Sequence, residues 1–128
     1  MLVEDETGVR ELASEFLKAG GYTVLEAQNG DEALKCAMNC GETIQLLLTD
    51  MVMPRMSGIE LASRLAKWKP ELRVIFMTGY SEFSERNNET VPSEGALLQK
   101  PFSRATLLGK VREVLGATPC KHPSVTEV

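Results

Sequence analysis

Residues 44–49 read Ile-Gln-Leu-Leu-Leu-Thr, an almost unbroken apolar run that stops at Asp50. A strand with one wet face alternates apolar and polar residues, whereas a continuous run suits a strand covered on both faces. Leu72 to Thr78 repeats the pattern, rich in Val, Ile and Phe. Elsewhere the period becomes helical. Val9, Leu12, Ala13, Phe16 and Leu17 fall on one helix face before Gly20-Gly21. Ala33, Leu34, Ala37 and Met38 line a second, behind Asn29 with Glu32 three residues on, and Gly41 ends it. Leu61, Ala62, Leu65 and Trp68 form a third stripe, opened by the capping-box pattern Ser57-Gly58-Ile59-Glu60 and stopped by Pro70. Trp68 is expected to pack against the sheet edge. Leu107, Leu108, Val111, Val114 and Leu115 mark a last helix from Ser103. Short β-prone runs at Leu2-Val3, Tyr22–Leu25 and Ala96–Leu98 complete the strands. Residues 81–94 are polar with weak periodicity and predict a short helix.

The alternation is strand–helix, five times over. Strands separated by helices make a parallel sheet with helices on both faces. The chain has 128 residues, enough for one domain with its own core. The domain is expected over 1–116, with 117–128 a disordered tail. Eighteen acidic against fourteen basic residues give a net charge of −4, which argues against nucleic acid or an anionic membrane as partner. No apolar run reaches ~18 residues, so no membrane span is expected. The start lacks the basic region of a secretory signal. Cys36, Cys40 and Cys120 make no disulfide framework and read as a reducing, cytoplasmic setting. Four soft ligands, those three and His122, would suit zinc, but a cysteine on a helix is more commonly a small buried hydrophobe. The chain begins almost inside its first apolar stretch and reads as a piece of something longer.

In such sheets ligands bind at the carboxyl ends of the strands, at a topological switch point. The residues there are Glu4-Asp5, Asp50, Thr78 and Lys100. Clustered carboxylates raise one another's pKa unless a positive charge lies between them. Mg²⁺ takes oxygen ligands and often just one or two carboxylates. Thr78 offers a hydroxyl and Lys100 a point charge on a long arm. Together these residues form a phosphoryl-transfer set, with Asp50 as nucleophile.

The motifs Val3-Glu4-Asp5-Glu6, Leu47-Leu48-Thr49-Asp50-Met51-Val52-Met53-Pro54 with Ser57-Gly58, Met77-Thr78-Gly79-Tyr80 and Lys100-Pro101-Phe102 occur in this order. In this ordered set the chain resembles the receiver domain of two-component response regulators, over residues 1 to about 116. The wording is similar to receivers of hybrid sensor histidine kinases. The resemblance implies a flavodoxin-like (βα)5 three-layer α/β sandwich, with a five-stranded parallel sheet in the order 2-1-3-4-5. It implies that Asp50 accepts a phosphoryl group from a phosphohistidine of a histidine kinase or histidine phosphotransfer domain. Asp5, Asp50 and the backbone carbonyl of Val52 would ligate Mg²⁺, and Glu4 would act through a water. Thr78 and Lys100 would bind phosphoryl oxygens. The Lys100-Pro101 bond would be cis. Such a domain catalyses only its own phosphorylation and dephosphorylation, and is expected as a monomer or weak dimer. Phosphorylation would shift the surface formed by the fourth helix, the fifth strand and the last helix.

One position departs from the pattern. Relatives often carry an aromatic switch residue three positions before the lysine, and here it is Leu97. Output is then expected through the 79–95 loop, or the domain serves as a phosphate relay or sink. Leu97 also favours an alternative: a pseudo-receiver that binds partners without ever carrying phosphate. A Mg²⁺ phosphatase of the dehalogenase type wants a second Asp two residues after the nucleophile, where this chain has Val52. Dinucleotide binding lacks its G-x-G-x-x-G. Met51, Met53 and Met56 read as loop packing.

Overall fold

The computed structural model describes residues 1–40, 44–53, 55–79 and 95–116. The elements run β1 (Leu2–Val3), α1 (Thr7–Ala19), β2 (Glu26–Ala27), α2 (Gly30–Cys40), β3 (Leu46–Asp50), α3 (Gly58–Trp68), β4 (Arg73–Thr78), β5 (Gly95–Gln99) and α4 (Arg104–Gly116). The helix predicted over 81–94, the tail from 117, Cys120 and His122 lie outside the described residues.

The apolar run forms the middle strand. All five residues of β3 are buried, and β3 pairs in parallel with β1 on one side and β4 on the other. The sheet order is β2-β1-β3-β4-β5, every pairing parallel. Strand alternation explains why the run is apolar throughout. Leu46 and Leu48 face one side with Leu2, Ile75, Met77 and Leu98, where Ala13 and Leu17 of α1 and Leu107 and Val111 of α4 cover them. Leu47 faces the other side with Val3, Val74 and Phe76, beneath Ala33 and Ala37 of α2 and Leu61 and Leu65 of α3. This is the flavodoxin-like three-layer sandwich. Met51, Met53 and Met56 are buried in the second of these cores.

The helix starts follow their sequence signals. Ser57 Oγ accepts from the Glu60 amide at 3.1 Å, and Asn29 Oδ1 from the Glu32 amide at 2.8 Å. Ser103 Oγ accepts from the Thr106 amide at 3.1 Å. The Lys100-Pro101 bond is cis.

Four local expectations are corrected. The second strand is Glu26–Ala27 and not Tyr22–Leu25. The β1 amides pair at the end of that run and beyond it: Leu2 donates to the Leu25 carbonyl and Glu4 to the Ala27 carbonyl. Tyr22 and Val24 pack instead into the core under α1 and α4. On α1, Leu12 is exposed and the buried line runs through Ala13, Ser14 and Leu17. On α2, Met38 is exposed, while Cys36 packs on the core. Trp68 is 57% exposed, because the buried line of α3 stops at Leu65 and the last turn carries the indole into solvent.

One glycine decides how α3 meets the sheet. The Gly58 amide donates to the Met51 carbonyl at 2.9 Å. A Cβ at this position would lie 2.0 Å from the carbonyl oxygen of Asp50, a backbone atom that cannot swing aside. Gly58→Ala is therefore expected to cost about 2–3 kcal/mol, as overpacking does. Gly109→Ala, whose Cβ meets nothing within 4 Å, should be neutral or slightly stabilising. Urea unfolding of the two variants checks this; equal midpoints would refute the close approach.

Candidate functional site

The strands end together at the carboxyl edge, and each of four delivers one polar residue. Glu4 follows β1, Asp50 ends β3, Thr78 ends β4 and Lys100 follows β5. Backbone hydrogen bonds carry the register past the strand ends. The Glu4 amide donates to the Ala27 carbonyl at 3.1 Å, Met51 to Met77 at 2.9 Å, and Lys100 to Thr78 at 2.8 Å. These bonds fix the spacing of the side chains above them.

Lys100 closes the site. Its Nζ donates to Glu4 Oε1 at 2.8 Å and to Asp50 Oδ2 at 3.2 Å. Glu4 is fully buried, Asp50 and Thr78 almost so, while Asp5 is exposed. Carboxylate oxygens of Glu4, Asp5 and Asp50 lie within 4.8 Å of one another. Val52 sits in the β3–α3 loop with its side chain partly exposed. The Thr78 hydroxyl donates to the Gly79 carbonyl at 3.2 Å. Of the residues singled out from sequence, Glu4, Asp5, Asp50 and Lys100 are thus brought together directly. Thr78 is tied to Lys100 through the main chain.

The charges do not balance. With all three ionised, the carboxylates exceed the one ammonium by two negative charges. Burial, then the neighbouring Asp50 carboxylate, push Glu4 up to about 8, against the pull of Lys100. Burial alone would lower Lys100, but its bond to Glu4 and the charges of Asp50 and Glu4 raise it. The donor set fits a hard divalent cation: all the candidate ligands are oxygens, and the excess charge equals the charge of such an ion. Glu4 Oε2 is also buried without a hydrogen-bond partner.

Sequence reasoning missed the support on the far side of the β1–α1 loop. Arg10 donates to the Glu4 carbonyl at 2.8 Å, and its Nε lies 3.8 Å from Glu26 Oε1. Ser14 Oγ donates to Glu26 Oε2 at 3.1 Å. In the sequence Arg10 is an ordinary helix cation and Glu26 an anion just past the predicted strand; only the β1–β2 pairing shows that they meet.

The family model of the response regulator receiver domain matches residues 1–112. The chain belongs to the response regulator receiver family. This receiver is 38% identical over 115 residues to the sensor kinase CckA of Brucella abortus, covering 90% of this chain and 12% of that protein. It is 34% identical to the response regulator receiver protein CpdR of the same organism, covering 90% of this chain and 94% of CpdR. The chain thus spans about an eighth of CckA but nearly all of CpdR. Among solved structures, the receiver domain from hybrid histidine kinase CckA superposes with a TM-score of 0.75 at 33% identity, covering 89% of this chain and 95% of that one. The chemotaxis protein CheY4 of Vibrio cholerae gives 0.73 at 26% identity, covering 88% and 94%. The receiver is therefore a two-component signalling domain of flavodoxin-like fold. Among the described residues, no helix is long and apolar enough to cross a membrane.

The raised Glu4 has a measurable consequence without metal. A carboxyl whose folded pKa lies above its unfolded value holds its proton more tightly when folded. Unfolding then releases a proton between pH 4.5 and about 8. The Glu4 contribution to stability is complete below pH 4.5 and is lost as pH rises toward 8. Denaturation in EDTA across this window should show stability falling with pH, and Glu4→Gln should flatten the slope. A parallel slope in the variant would assign the effect elsewhere.

Proposed function

We propose that this receiver is the phosphoacceptor of a two-component phosphorelay, with Asp50 as the phosphorylated residue. The observation that carries the reading is the grip of Lys100 on Asp50 and Glu4 at the carboxyl edge of the sheet. It puts a fixed positive charge beside a buried carboxylate, at the edge where this fold binds ligands. In the transfer, a carboxylate oxygen of Asp50 supplies the electron pair for a new P–O bond. The P–N bond of a phosphohistidine breaks, and the imidazole leaves and takes up a proton. The donor is a histidine kinase or a histidine phosphotransfer domain.

Asp5, Asp50 and the backbone carbonyl of Val52 would hold Mg²⁺, with Glu4 acting through a water. Bound there, Mg²⁺ supplies charge neutralisation for the phosphoryl oxygens. Lys100 and Thr78 take the remaining oxygens. For Lys100 this means a shift of partner, since Asp50 loses its own charge on forming the acyl phosphate while the phosphoryl group adds about −1.5 to −2. For Thr78 it means turning its hydroxyl from the Gly79 carbonyl. The domain acts in the cytoplasm and catalyses only its own modification. CckA and CpdR show the same domain as a small part of one protein and nearly the whole of another, so the reading is confined to the domain.

A pseudo-receiver is the second reading. Leu97 favours it, because the side chain is aliphatic and packs against the core under α2 and α3, which leaves no aromatic ring to report on the site. One experiment separates the two. Incubation with acetyl phosphate and Mg²⁺, followed by intact mass, should add one phosphoryl group. The adduct should vanish in Asp50→Asn and in EDTA. A folded protein that gains no adduct under these conditions is a pseudo-receiver.

A further inference from the structure

We propose that Arg10 is the positioning residue of the acidic loop, gripping the main chain of Glu4 while Lys100 grips its side chain. The inference rests on the reading that this loop helps to hold Mg²⁺, and it adds a residue outside the ordered motifs.

The loop needs an external hold. It carries Glu4 and Asp5 side by side, one buried and one exposed, between a two-residue strand and a helix. The other described helices have side-chain caps at their starts, from Asn29, Ser57 and Ser103. Helix α1 has none: Glu6 stands at its N-cap and makes no side-chain cap hydrogen bond. The guanidinium of Arg10 does the fastening instead, from its place within the helix. It donates to the Glu4 carbonyl at 2.8 Å. The Arg10 backbone amide meanwhile makes the ordinary first helical hydrogen bond, to the Glu6 carbonyl at 2.9 Å.

Arg10 is itself held. Its side chain is only 16% exposed, and Glu26 of β2 lies 3.8 Å from its Nε. Glu26 is oriented in turn by the Ser14 hydroxyl at 3.1 Å. Ser14 is a buried polar residue in a helix, and this hydrogen bond accounts for it. The series Ser14–Glu26–Arg10–Glu4 carbonyl thus runs from α1 through β2 to the loop. Partners bonded to metal-binding groups orient them, and losing one typically weakens metal affinity by about 10–100-fold; Arg10 acts one step further out, on the main chain beside Asp5, so the lower end is expected.

Two readouts test the clamp, both using the whole chain. Amide hydrogen exchange in EDTA needs no metal and no phosphate. Arg10→Ala should speed exchange of the Glu4 amide, which donates to the Ala27 carbonyl, by about tenfold, the size of one charge-assisted hydrogen bond, with the β3 and β4 amides unchanged. Calorimetric titration with Mg²⁺ should show affinity weakened by about tenfold. Arg10→Lys, which keeps a donor and a charge, should recover part of both effects. Glu26→Gln, the milder change, should show a smaller shift in the same direction even if Arg10→Ala folds poorly. Unchanged loop exchange in Arg10→Ala and Glu26→Gln overturns the clamp, whatever the metal does. Faster exchange with unchanged Mg²⁺ affinity overturns its link to the metal. A parent chain that binds no Mg²⁺ counts against the function proposed above, and exchange alone then judges the clamp.

Discussion

A single ammonium between two buried carboxylates organises this molecule. Lys100 reaches Glu4 and Asp50 across 96 and 50 residues of sequence. Burying three ionisable groups is expensive, and their mutual attraction offsets the desolvation only when the geometry is good. Here the geometry comes from the sheet. Strands β1, β3, β4 and β5 are parallel and in register, so their carboxyl ends arrive at one edge. Backbone bonds beyond the strand ends then hold Glu4, Met51 and Lys100 at set heights. A slip of one residue in any strand would turn its polar terminal residue to the wrong face.

The layers around the sheet serve the same edge. Helix α3 comes so close behind Asp50 that only a residue without a Cβ fits at Gly58. That contact holds the Asp50 backbone from behind while Lys100 holds its carboxylate in front. The β1–α1 loop is held in the same two-sided manner, by Arg10 on its carbonyl and Lys100 on its carboxylate. The main chain at Asp50 and at Glu4 is thus held from two sides, while the Glu4 proton and the partners of Lys100 can change.

Much of this is legible in the sequence because it is written locally. The buried strands announce themselves as apolar runs ending in Asp50 and Thr78. The caps at Asn29 and Ser57 are readable from three-residue spacings. Glu4, Asp5, Asp50 and Lys100 can be placed at one edge as soon as the strands are taken as parallel. The misses share a different cause. Periodicity says which residues share a face, but not how far the neighbouring layer extends over that face. Leu12, Met38 and Trp68 each sit on a plausible apolar stripe, and each is exposed. Propensity alone puts the second strand too early, at Tyr22–Leu25, whereas β1 pairs with Glu26 and Ala27. Arg10 and Glu26 carry no signal, since their meeting depends on that pairing.

The charge imbalance is what would let such a site switch. Fully ionised, the carboxylates exceed their lysine by two charges, and the metal-free chain relieves part of this by holding a proton on Glu4. A divalent cation would do the same work without the proton, so metal and proton compete for one deficit. A phosphoryl group on Asp50 would change the balance again, replacing one carboxylate charge with a larger and more distant one. To reach a phosphoryl oxygen, Lys100 would have to turn from Asp50, which it now holds together with Glu4. Its backbone amide is bonded to the Thr78 carbonyl, so a move by Lys100 would be felt at the end of β4, where Thr78 would turn in the proposed transfer. Chemistry at Asp50 would in this way be coupled to the conformation of the β4–β5 edge through one residue, with no aromatic ring at position 97 required.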